Sequence, residues 1–173
     1  MKQKYKEGDV LAPGTVIISA AGQCCDVKKV VTPVAMALKG NLFYINLSSQ
    51  KHVLGGSSLG QVGNKIGSEA PGIENISLFR DSFNLVQDLI LEGKIISGHD
   101  ISSGGLITTL LEMCFPSLNV GMEIDLTALN ERDSTALLFA ENAGLVLQSD
   151  IDLTAYFKAH GIPCSTLGKV VES

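Results

Sequence analysis

The sequence predicts a layered α/β or α+β sandwich. Three observations carry that reading. Beyond Gly93, short apolar or alternating segments recur between helix-like segments, as they do when strands are covered by helices. Residues 77–92 carry Phe79, Phe83, Val86 and Ile90 at i, i+4, i+7 and i+11, one apolar face of a helix. Of 173 residues, 45% are hydrophobic and 18% charged, enough apolar material to bury the core of one domain.

Residues 1–13 are polar and lead into Pro13-Gly14, so they read as a peripheral entry segment to a single domain over 14–173. Residues 15–21 (TVIISAA) and 41–48 (NLFYINLS) are short, β-branched and apolar, and read as buried strands. Thr32-Pro33 breaks any helix between them. Residues 52–67 are rich in glycine and read as a loop with one short helix from Ser58. Pro71-Gly72 is a turn signal, and Gly93 is placed to stop the helix over 77–92. Strands follow at 94–98, 120–126, 144–148 and 164–171. Helices lie between them. One opens at Gly104-Gly105 and ends before Pro116, one covers 132–140, and one is capped by Asp150 and ends at Gly161.

Composition excludes several function classes. A net charge of −5 and the absence of Trp give no electrostatic footprint or stacking platform for nucleic acid. Apolar runs fall far short of the ~20 residues that a membrane span needs. The basic start, MKQKYK, lacks an apolar leader core. Cys24, Cys25, Cys114 and Cys164 have no partner at zinc or redox spacing, so they read as reduced thiols in a cytoplasmic protein. Cys24 and Cys25 also lack a nucleophile-elbow context, and Met113 and Cys114 read as core.

The most informative stretch is residues 96–115, ISGHDISSGGLITTLLEMCF. A strand ends in His99-Asp100, two serines and two glycines follow, and a helix starts at once. Two readings are open from spacing alone. Asp100 or Ser102 caps the helix and the glycines only make a tight turn. Alternatively, the free N–H groups of the helix start approach a phosphate, with Asp100 holding Mg²⁺ from the strand end. Neither a P-loop nor a GxGxxG fingerprint is present.

HDISSGGLITTLLEMCF resembles the HD-x-S-x-GGL…LxEM motif of the C-terminal domain shared by the phosphoribosylformylglycinamidine synthase family and aminoimidazole ribonucleotide synthetase. Residues 21–39 (AGQCCDVKKVVTPVAMALK), 54–61 (LGGSSLGQ) and 138–148 (LFAENAGLVLQ) are similar to three further blocks of the synthases, in the same order. In the large single-chain synthases this domain occurs twice, and LLEM and TPVAMALKGNLFYINL are closest to the second copy. The resemblance implies a three-layer α/β/α sandwich with a mixed sheet.

It also implies a role. These enzymes are ATP-dependent, glutamine-using amidotransferases of purine biosynthesis. The substrate's amide oxygen attacks the γ-phosphate of ATP, and ammonia then displaces phosphate to give the amidine. By resemblance, Asp100 is the Mg²⁺ ligand, Ser102 a contact of ATP or ADP, and Gly104-Gly105 the close phosphate approach. His99 orients Asp100 or the nucleotide, or is a structural strand-end histidine. Ser57, Gln61 and Glu141 are weaker candidates, with loop structure, capping and turn formation as their alternatives. Ser103 stands where relatives often carry a second Asp, which argues against acid/base chemistry there. The chain holds no glutaminase block. It is therefore expected to be a piece of a longer enzyme, inactive alone, with the ATP-binding and glutaminase domains as partners. A homodimer of the fragment is a further expectation, and the alternatives are a non-catalytic copy that holds Mg-ADP as a structural element or another ATP-dependent member of the superfamily, such as aminoimidazole ribonucleotide synthetase.

Overall fold

The computed structural model describes residues 2–6, 8–11, 17–24 and 26–172. Strands β1 (Lys2–Tyr5) and β2 (Gly8–Leu11) form an antiparallel pair of their own. The main sheet contains β3 (Asn41–Asn46), β4 (Ser97–Asp100), β5 (Val120–Ile124), β6 (Gly144–Ser149) and β7 (Ser165–Glu172), in the order β4-β6-β3-β7-β5. Among the described residues five α-helices accompany them: α1 (Ser58–Val62), α2 (Ile76–Leu91), α3 (Gly105–Cys114), α4 (Ser134–Phe139) and α5 (Leu153–Ala159).

The α+β layering follows from period-two alternation in the central strands. Phe43 and Ile45 of β3 and Leu147 of β6 face one side. There they pack on Leu85, Val86 and Leu89 of α2 and on Leu153 and Phe157 of α5. Leu42, Tyr44 and Val146 face the other side and meet Leu106, Leu110 and Met113 of α3. The sheet thus lies between two helical layers, as the resemblance implied.

The direction of the strands differs from that expectation. Every pairing in the five-stranded sheet is antiparallel, not mixed. The antiparallel ladder makes β3, β4 and β5 run one way and β6 and β7 the other. Each helical crossover from β3 to β4 and from β4 to β5 joins strands that run the same way, as βα alternation requires. The later strands β6 and β7 then insert between them, and so every neighbour becomes antiparallel.

Four local readings also change. Residues 17–21 form no strand, and Ile17 and Ile18 stand 88% and 84% exposed, because no strand of the described fold pairs with them. Thr15 and Val16 of that segment lie outside the described residues. In α2 the buried face is Ser82, Leu85, Val86 and Leu89, while Phe83 is 53% exposed. Two apolar stripes run side by side on this helix, and the sheet takes the leucine stripe. The start of α5 is capped by Asp152, which accepts from the Thr154 amide at 2.9 Å, rather than by Asp150. The expected strand over 94–98 forms two to three residues later, as β4. The chain breaks at the predicted punctuation elsewhere: Gly93 follows α2 at φ +72° and Gly161 follows α5 at φ +69°.

Candidate functional site

Strand β4 is an edge strand, and its last two residues are His99 and Asp100. Pairing of β4 with β6 fixes them, with His99 opposite Val146 and Asp100 opposite Leu145. The Asp100 carboxylate emerges into solvent, its side chain 71% exposed, and its nearest charged partner is His99 Nδ1 at 3.3 Å. His99 is far less exposed. Its Nδ1 lies 2.8 Å from the Asp100 carbonyl oxygen and its Nε2 lies 3.2 Å from Glu112 Oε2 on α3, so both ring nitrogens are engaged within the protein. The Thr109 hydroxyl of α3 donates to the Asp100 carbonyl at 3.1 Å. These contacts tie the strand end to the helix that follows it. Glu112 and Thr109 escaped the sequence reading, because only the LLEM block hinted at a polar role on this helix face.

Ser102 and Ser103 are exposed in the turn. Gly104 caps α3 in the left-handed region, φ +91°, and Gly105 follows at φ +74°. An L-residue is strained at either position. A Cβ on Gly105 would also stand 2.7–2.8 Å from backbone atoms of Leu138 and Phe139. Gly105 therefore lets the start of α3 pack on the end of α4. Both glycine amides are engaged within the protein. Gly105 N–H donates to the Ser102 carbonyl at 3.0 Å, and Gly104 N–H to Glu141 Oε1 at 2.8 Å.

Glu141 thus sits at the same turn as the main candidates. Its Oε1 also accepts from the Ser58 amide at 2.7 Å. Burial raises the carboxyl's pKa, but the Gly104 and Ser58 hydrogen bonds outweigh burial and hold it below the ordinary value. The other two weaker candidates serve the glycine-rich loop itself. Buried Ser57 caps α1, its hydroxyl accepting from the Gly60 amide and donating to the Leu54 carbonyl. Gln61 Nε2 donates to the Gly56 carbonyl at 3.1 Å. Beside this loop lies a cavity of about 650 Å³ whose walls include His52, Leu54, Leu59, Lys65 and Asp133.

Among the described residues, no group of three or more His, Cys, Asp or Glu is placed to hold a metal ion. A single exposed carboxylate still fits Mg²⁺, which keeps several waters and takes one or two carboxylates together with substrate phosphates. Asp100 presents one such carboxylate.

Comparison with known proteins bears on this arrangement. The family described as AIR synthase related protein, C-terminal domain, matches residues 42–173. Over 175 residues the chain is 39% identical to a probable phosphoribosylformylglycinamidine synthase of Caenorhabditis elegans, covering 92% of this chain and 13% of that protein. Over 170 residues it is 36% identical to the phosphoribosylformylglycinamidine synthase of Homo sapiens, covering 95% of this chain and 13% of the human protein. The chain therefore spans about an eighth of the length of these curated relatives. In fold it is similar to PurLQS of Thermotoga maritima, with a TM-score of 0.62 at 13% identity over 85% of this chain and 24% of that one. It is also similar to T. maritima PurL complexed with AMPPCP, with a TM-score of 0.60 at 10% identity over 84% of this chain and 24% of that one.

Proposed function

Because the chain belongs to the family of AIR synthase related proteins, C-terminal domain, we propose that it is one domain of a phosphoribosylformylglycinamidine synthase and that it binds the Mg-nucleotide of that enzyme. The observation that carries this reading is the turn between β4 and α3. It presents the Asp100 carboxylate and Ser102 to solvent at a strand end, with a helix starting behind them. Asp100 is the Mg²⁺ ligand in this reading, Ser102 a phosphate contact, and His99 orients Asp100. Gly104 and Gly105 give the turn its left-handed shape, so that Asp100 and Ser102 rather than the glycine amides meet the phosphates. Mg²⁺, when bound, offsets the charge of the phosphates during phosphoryl transfer. Residues 1–13 are a peripheral segment and 14–173 a single domain, acting in the cytoplasm beside ATP-binding and glutaminase domains supplied by the longer protein.

The clamped state of His99 favours a second reading, in which this copy holds Mg-ADP as a structural element. With the Asp100 carbonyl on one nitrogen and Glu112 on the other, the imidazole is held by the protein itself and is suited to orienting neighbouring groups. One assay separates the readings. The longer protein is given ATP, glutamine and formylglycinamide ribonucleotide, with and without Asp100→Asn. A catalytic site loses turnover with folding intact. A structural site loses thermal stability and bound nucleotide together. The 173-residue chain alone gives background turnover; robust product from it would overturn the proposal.

A further inference from the structure

The glycine-rich segment over 54–69 is closed mainly by its own bonds. Gly55 N–H donates to the Glu69 carbonyl, Gly56 N–H to Ile66 and Lys65 N–H to Gly60. Its anchors to the sheet come from two adjacent residues that lead into β6. Asn142, 1% exposed, accepts from the Val53 amide and donates to the Lys51 carbonyl at the loop's entrance. Glu141 holds the Ser58 amide at the head of α1. The same Glu141 oxygen holds the Gly104 amide of the turn before α3. One carboxylate oxygen therefore joins two segments far apart in sequence, both of which stood out as candidate functional blocks.

We infer that Glu141 is a positioning residue that brackets the glycine-rich loop to the turn before α3, so that loop and turn hold their shape as one unit. The chemistry favours a carboxylate here. Two N–H donors converge on one oxygen, and a charged acceptor strengthens both bonds. The next turn of backbone adds to the effect, because Gly105 packs directly against Leu138 and Phe139 just upstream of Glu141. A displacement of the loop at Ser58 is thus carried through Glu141 to Gly104, two residues beyond Ser102. The Gly104 amide is spoken for, so a ligand at this turn meets Asp100 and Ser102, and Glu141 sets the shape in which it meets them. The bracket itself is independent of the nucleotide reading; its consequence for a nucleotide rests on that reading.

The test is nuclear magnetic resonance on the ¹⁵N-labelled 173-residue chain. The Ser58 and Gly104 amide shifts should follow a single titration as pH is lowered, with a midpoint below the ordinary Glu value. Glu141→Gln should abolish that shared titration while the core amides of β3 and β6 stay protected. Glu141→Ala should speed exchange roughly tenfold at Ser58 and at Gly104 together, the loss of one charge-assisted acceptor at each amide. Gln61→Ala, which removes a bond inside the loop, should loosen the loop and leave Gly104 unchanged. If Glu141→Ala does not fold, the titration and its loss in Glu141→Gln still decide. Separate midpoints, or a Gly104 amide indifferent to Glu141, would overturn the bracket. In the longer protein Glu141→Gln should raise the KM for ATP with kcat unchanged. A shared titration with an unaltered KM would uphold the bracket and count against the nucleotide reading.

Discussion

Substituting Gly105 by Ala should damage the fold more than substituting Gly104, although both glycines sit in the left-handed region. At Gly104 the added methyl meets the Thr108 side chain at its Oγ1. That side chain can rotate away, giving up its hydrogen bond to the Gly104 carbonyl. At Gly105 the methyl meets backbone: the Leu138 carbonyl at 2.7 Å and Phe139 main-chain atoms at 2.7 and 2.8 Å. Backbone cannot rotate away, so α3 and α4 must separate. Left-handed strain is about 1–2 kcal/mol for an L-residue at either site. Overpacking adds about 1–3 kcal/mol at Gly105. The expected loss is about 2–5 kcal/mol for Gly105→Ala, a large share of the ~5–15 kcal/mol that holds a domain. At about 2–4 °C per kcal/mol for a chain of this size, Tm should fall by roughly 4–20 °C. Urea denaturation of the two variants side by side is the assay. If Gly104→Ala is the more damaging, or if Gly105→Ala is neutral, then Gly105 is not a packing glycine and the account of this turn fails.

Further outcomes follow from the same structure. Fully buried Gln148 makes four hydrogen bonds, to the Met36 amide and carbonyl, the Lys39 carbonyl and the Ser97 hydroxyl. Gln148→Leu should therefore cost about 2–4 kcal/mol in urea denaturation, and an unchanged midpoint would refute that role. Acid should destabilise the chain. Glu131, held by the Asp133 amide, Asp125, held by the Thr127 hydroxyl, and Glu141 all have pKa values below ordinary in the fold. Such groups add stability above their unfolded pKa that is lost as pH falls through the folded one. The urea midpoint should drop as pH falls below about 4.5 and drop less in Glu141→Gln; an identical slope would contradict this. Alkali should also destabilise it. Burial pushes Tyr44 from 10.0 to about 12, and burial followed by the Asp152 charge pushes Cys164 from 9.0 to about 12. Raised folded values mean that stability holds below the unfolded pKa and is lost above it. Tyr44 alone should account for on the order of 2–3 kcal/mol between about pH 10 and 12. Tyr44→Phe should flatten that fall.

The sequence made some of this architecture legible because certain residues act locally. Gly93 and Gly161 stop helices wherever they occur, and Pro116 follows α3 for the same reason. The turn from His99 to Gly105 could be placed because a strand end, two glycines and a helix start are contiguous. Other features depend on what lies across the fold. Residues 17–21 look like a strand because they are apolar and β-branched, but a strand exists only with a partner. The sheet became antiparallel because β6 and β7 insert between earlier strands, and the βα alternation is the same with or without that insertion. Phe83 lost its core place to Leu85 because both stripes of α2 are apolar and only the sheet chooses between them. Glu141 was placed near the candidate turn by its block. Its two amide partners belong to distant segments, however, and no spacing reveals that one oxygen serves both.

Asp100 is the residue on which the proposed nucleotide site depends most. The decisive measurement is the nucleotide retained by the longer protein carrying Asp100→Asn, quantified after denaturation and compared with the unsubstituted protein. Asp100 is exposed and makes no buried ion pair, so the substitution should leave folding intact. The prediction is a loss of bound nucleotide, or of Mg²⁺-dependent nucleotide affinity, in a protein whose thermal unfolding without nucleotide is unchanged. Full retention of nucleotide in a folded Asp100→Asn protein would contradict the assignment of this turn as the nucleotide site.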